Sequence, residues 1–90
     1  MADITEDLER AGRGDLVAFA RVYDATSCST FQLVTWTVRD QATVEQVMCA
    51  GYAEVWRMAG QYDRCSVSAA AWVVSVLHRH AKQAAADRIR

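Results

Sequence analysis

The sequence predicts an all-α domain, a compact bundle of four to five helices. The chain has no proline and only four glycines, so little in it breaks a helix. Its apolar residues recur at spacings of three and four, the period of a helix with one buried face. No stretch alternates apolar and polar residues as a half-buried strand does. Ninety residues make one small domain, close to the lower size for a self-sufficient core, and an apolar content of 52% is ample to fold it.

Each element follows from local signals. Asp3, with Glu6 three residues on, predicts a capped first helix that the Gly12–Gly14 pair breaks. Asp15 caps a second, on which Leu16, Phe19, Ala20 and Tyr23 form a core-facing stripe. The polar run Asp24–Thr30 predicts a turn or a kink. Phe31, Val34 and Val38 form the next stripe, ended by Arg39–Asp40. Thr43 with Gln46 fits a capping box for a helix carrying Val44, Val47, Met48, Gly51, Val55 and Ala59 on one side. Gly60 can stop it in the left-handed conformation. Gln61–Val67 reads as a loop, and Ser66 or Ser68 caps a last helix with Trp72, Val73, Val76, Leu77 and Ala84 inward. The expected core joins Phe19, Tyr23, Val34, Val47, Val55, Trp72, Val76 and Leu77.

Composition excludes several functions. No apolar run of about 18 residues exists to span a membrane. The start, MADITEDLER, is acidic and is no secretory signal, so a cytoplasmic location is expected. Cys28, Cys49 and Cys65 are odd in number and lack metal-ligand spacing, which fits reduced thiols. His78 and His80 are two apart and point away from each other on a helix, so no metal site is expected. Without a nucleophile–base pair, a paired-acid motif or a phosphate loop, the chain reads as neither an enzyme nor a cofactor binder. The net charge of −1 is not that of a general nucleic-acid binder. The charge is polarised, however: Asp3, Glu6, Asp7 and Glu9 open the chain, while Arg79, Lys82, Arg88 and Arg90 outweigh Asp87 at its end.

Two segments carry a resemblance: Arg13–Asp24 (RGDLVAFARVYD) and Tyr52–Val73 (YAEVWRMAGQYDRCSVSAAAWV). With the residues between them they resemble region 2 of extracytoplasmic-function (ECF) sigma factors, from about Asp7 to His80. The resemblance implies one sigma region 2-like domain over 1–90, without the helix-turn-helix domain that family members carry after it. It also implies RNA polymerase core and the promoter −10 non-template strand as partners, with a regulator such as an anti-sigma factor as the alternative one.

The resemblance gives each helix a role. The helix from Val44 to Ala59 is the one whose first half grips the polymerase β′ clamp, giving a face of Glu45, Gln46, Met48, Cys49 and Ala50. The family usually has an acid, a glutamine and a glutamate where Gln46, Cys49 and Ala50 stand, so three polar contacts differ. Tyr52 and Trp56 are expected to meet the unstacked strand, followed by Tyr62, Asp63 and Arg64 in the loop that forms the family's base pocket. The plainer reading keeps Tyr52, Trp56 and Tyr62 as packing residues. A glycine usual before the next serine is Val67 here. His78, Arg79 and Lys82 resemble the basic face that lies along the phosphates; a solvated face is its plain counterpart. Trp72 matches a family tryptophan and is expected in the core. Trp36 replaces a usual basic residue, and an Asp-Arg-X-Arg motif sits a turn later than usual, at Asp87–Arg90.

Overall fold

Two aspartates start the two middle helices. In the computed structural model, which describes residues 3–89, the Asp15 carboxylate accepts the Ala18 amide at 3.1 Å, and α2 runs from Leu16 to Val38. Asp40 accepts both the amide of Thr43, at 3.0 Å, and its hydroxyl, at 2.5 Å, and so caps α3, Gln41–Met58. Thr43 is therefore the bonded partner of a cap and not the cap of a box with Gln46. Arg39, between the two helices, takes φ 70°, the left-handed residue of this corner.

The short α1, Thr5–Ala11, precedes them. Asp3 accepts the amide and hydroxyl of Thr5, while Glu6 pairs with Arg10 one turn on. After α3 a 3-10 turn, Ala59–Gln61, leads into loop 62–68. Gly60 lies within this turn and has no positive φ, so the helix stops by tightening and not by a left-handed glycine. Ser68, rather than Ser66, caps α4, Ala69–Ile89, through the Ala71 amide at 3.2 Å. The DRIR segment, 87–90, lies partly outside the described residues. No strand occurs among the described residues, and no helix is long and apolar enough to cross a membrane.

The core differs from the expected one on α2. Ala18, Val22, Thr26, Thr30, Val34 and Val38 are buried, each four residues from the last. At 3.6 residues per turn each step advances the stripe about 40° around the helix, so the buried face winds as α2 passes its neighbours. It packs on α1, α3 and α4. Leu16 (68% exposed) and Tyr23 (43%) lie outside that line, Phe19 is half-buried, and Phe31 is half exposed. The small and branched residues took the inner face because they let helices approach closely. Across the bundle Leu8, Val44, Val47, Val55, Val73, Val76 and Leu77 complete the core, with Trp72 packed at its edge.

The run Asp24–Thr30 is neither a turn nor a kink; α2 is continuous through it. Thr26 donates its hydroxyl to the Val22 carbonyl at 2.8 Å, and Thr30 lies 3.1 Å from that of Thr26. Both also meet the Tyr52 hydroxyl of α3, at 2.6 and 2.8 Å. Three hydroxyls can thus satisfy one another in a chain, Thr30 to Tyr52 to Thr26 to the Val22 carbonyl, inside the core. Two glycines allow close helix approach. A Cβ on Gly12 would stand 2.8 Å from the backbone of Ala59 and Gly60, and one on Gly51 would fall on the Leu77 side chain.

Candidate polymerase and nucleic-acid interface

The expected clamp residues occupy the outer side of α3. Glu45, Gln46, Cys49 and Ala50 are exposed and Met48 is half-buried. Valines at 44, 47 and 55 anchor the opposite side, which fixes this orientation. Glu45, Met48 and Cys49 also line a groove of about 720 Å³ between α2 and α3. Its walls are aromatic and aliphatic: Leu16, Phe19, Tyr23 and Phe31 from α2, Ala53 and Trp56 from α3. Phe19 and Trp56 meet edge to face at 5.2 Å, as do Tyr23 and Tyr52 at 4.7 Å. Sequence reasoning assigned Leu16, Phe19 and Tyr23 to the core and so missed this groove. The signal was present as a second apolar row, Leu16, Phe19, Tyr23 and Phe31, on the neighbouring face of α2.

The three aromatics expected to meet a single strand lie in three settings. Tyr52 is 5% exposed and its hydroxyl is committed to Thr26 and Thr30, so its ring is not open to a base. Burial pushes its phenol up from the ordinary value, against the lowering effect of those hydrogen bonds. Trp56 is half-buried in the groove against Phe19. Tyr62 alone belongs to the loop, where its ring tilts against Trp72 at 5.8 Å and its hydroxyl donates to the Val67 carbonyl at 2.7 Å.

Asp63 builds the loop. Its carboxylate accepts the Cys65 amide at 2.9 Å and its carbonyl accepts the Ser66 amide at 3.1 Å, an aspartate turn. Arg64 reaches α1, where Nε and Nη2 donate to the two Glu9 oxygens at 2.8 and 2.5 Å. The Arg64 hydrogen bond holds the Glu9 carboxyl below its ordinary range, and Glu9 in turn raises Arg64. Arg64 therefore does not stand as an open cation.

His78, Arg79 and Lys82 are exposed and, with Ser75 and Gln83, border a shallow cleft on α4. Arg79 turns back to α3 and binds the Glu54 carboxylate, which also meets His80 at 2.8 Å and Arg57 at 3.7 Å. The hydrogen bond from His80 is the main cause of a lowered Glu54 pKa, with Arg79 and Arg57 adding to it against the desolvation cost. The basic face thus gives part of its charge to joining α3 and α4. Cys28, Cys49 and Cys65 are free and exposed, and no metal-holding cluster of His, Cys, Asp and Glu occurs among the described residues.

Comparison with known proteins gives a consistent set of relatives. The chain is 36% identical over 89 residues to the ECF RNA polymerase sigma factor SigK of Mycobacterium bovis (strain BCG / Pasteur 1173P2), covering 99% of this chain and 46% of that protein. It is 36% identical over 88 residues to SigK of Mycobacterium ulcerans (strain Agy99), covering 98% and 45%. With SigK of Mycobacterium sp. (strain KMS) the identity is 35% over 88 residues, covering 98% and 44%. The chain spans just under half the length of these curated relatives. No protein-family model matches it, and no solved structure does.

Proposed function

We propose that this ECF sigma region 2-like domain docks on the β′ clamp of RNA polymerase core through the outer face of α3. In the same reading it holds the promoter −10 non-template strand with loop 62–68 and the α4 face of His78, Arg79 and Lys82, and acts in the cytoplasm. The similarity to SigK across nearly the whole chain supports a sigma-like role in transcription. The observation that carries the docking surface is the open row Glu45, Gln46, Cys49 and Ala50 on a helix whose other side is locked in the core. Tyr52 is excluded from the strand contacts by its burial, and Trp56 belongs to the groove.

One observation favours a second reading. The groove beside that row is almost wholly apolar, and an amphipathic helix of a regulator such as an anti-sigma factor suits such a surface. Gln46, Cys49 and Ala50 supply less charge there than the usual acid, glutamine and glutamate, so hydrogen bonding to a basic clamp is weakened. The test is the affinity for core polymerase, side by side, of the wild-type domain and of the variant Gln46→Asp, Cys49→Gln, Ala50→Glu. At least tenfold tighter binding of the variant, about 1.4 kcal/mol, is expected. Equal, tight binding makes the departures neutral and leaves docking intact. If neither binds, α3 is not a clamp-docking element and the regulator reading replaces it.

A further inference from the structure

The end of α1 lies directly on the turn that leads into loop 62–68. Gly12 closes on Gly60 so tightly that a Cβ at Gly12 would stand 2.8 Å from the Gly60 Cα. Glu9, three residues earlier, faces the loop, and its two oxygens take two N–H groups of Arg64 at 2.8 and 2.5 Å. This pair spans 55 residues of chain. A bidentate contact fixes the direction of a guanidinium as well as its distance. The other loop bonds are local: Asp63 to Cys65 and Ser66, and Tyr62 to Val67. They shape the loop but do not attach it to α1.

We propose that Glu9 is a positioning residue: by gripping Arg64 it holds loop 62–68 against the end of α1, so that Tyr62 and Asp63 meet single-stranded DNA in one arrangement. The inference rests on the strand-holding reading above. Glu9 itself touches no DNA, since a carboxylate repels phosphate. Arg64 acts as a tether, because its Nε and Nη2 groups are forked on Glu9 and its charge is paired there. The ordering cost of the loop is then met in folding and not at binding, which favours the strand.

The test uses Glu9→Gln, Arg64→Gln and the double variant. Amide hydrogen exchange is read at Cys65 and Ser66, whose N–H groups are bonded to Asp63. Each single variant is expected to exchange about three- to fivefold faster there, the range of an exposed ion pair, and the double variant no faster than the singles. The thermal midpoint should barely move. By fluorescence anisotropy, each variant should bind a labelled −10-like single strand about threefold more weakly, with duplex affinity unchanged. The salt dependence of strand binding should also be unchanged, since no phosphate contact is lost. Unaltered exchange in Glu9→Gln overturns the proposal. So does tighter strand binding by Glu9→Gln, or a salt slope flattened by about one contact in Arg64→Gln; either makes Arg64 a phosphate ligand that Glu9 masks. If the wild type binds no strand, the strand-holding reading falls and the positioning role with it, while the exchange data alone report whether Glu9 holds the loop.

Discussion

Removing the threonine hydroxyls around Tyr52 should cost more than removing Tyr52's own hydroxyl. In the double variant Thr26→Val, Thr30→Val the two bonds at 2.6 and 2.8 Å disappear, and the Tyr52 hydroxyl stays in a core where the residue is 5% exposed. A stranded buried hydroxyl costs about 1–3 kcal/mol, and a methyl cannot approach an oxygen as closely as a hydroxyl, which adds crowding. The expected loss is therefore about 2–3 kcal/mol, or roughly 10–20 °C in thermal midpoint for a domain of this size. Tyr52→Phe alone leaves both threonines their backbone acceptors, the carbonyls of Val22, Thr26 and Ser27, and should cost about 1 kcal/mol. The triple variant leaves neither group unsatisfied and should return to within about 1 kcal/mol of wild type. Urea titration of the four proteins, supported by thermal melts, gives the cycle. A triple variant as unstable as the double one would refute the account, because the loss would then come from the valines and not from a stranded hydroxyl. Strand and polymerase affinity of folded Tyr52→Phe should equal wild type, since the hydroxyl faces inward.

Two further outcomes follow from packing and charge. Gly12→Ala should destabilise the fold by about 1–2 kcal/mol in denaturant titration: Gly12 has helical φ −63°, where alanine is favoured, but its Cβ would meet fixed backbone at 2.8 Å. A stabilised Gly12→Ala would show that α1 and the 3-10 turn separate freely. The Glu54 pKa lies below its ordinary 4.5, so the unfolded chain binds more protons than the folded one between the two values. Its contribution is full above about pH 4.5 and is lost as pH falls through the folded value, and Glu54→Gln should flatten that acid limb of stability. An unchanged pH slope in the variant would remove Glu54 as the joint between α3 and α4.

The caps at Asp15 and Ser68, the break at Gly12–Gly14 and the buried side of α3 were legible because their partners lie within four residues on the chain. The outer face of α3 was legible for the same reason, since Val44, Val47 and Val55 dictate where Glu45, Gln46, Cys49 and Ala50 point. The polar run in α2 misled: threonines read as a break when no acceptor is in view, and Tyr52 is 22 and 26 residues away. The α2 stripe misled differently. Two apolar rows run along that helix, and size favours the larger residues of Leu16, Phe19 and Tyr23 when no neighbour is known. In the bundle the smaller row of Ala18, Val22 and Val34 went inward, because helix backbones approach closely only over small side chains.

By itself the sequence determined that this chain is helical, roughly where each helix starts, and which relatives it resembles. These depend on propensity, capping and spacing, all local in the chain. The tertiary structure alone decided which of two apolar rows is core and which lines a groove. It also decided that Tyr52 is buried, that Arg64 is held by Glu9, and that Arg79 is shared with Glu54. Those contacts join residues 22 to 55 positions apart. Their free energies are small beside the burial of the whole core, so helix packing chooses them and no local pattern announces them.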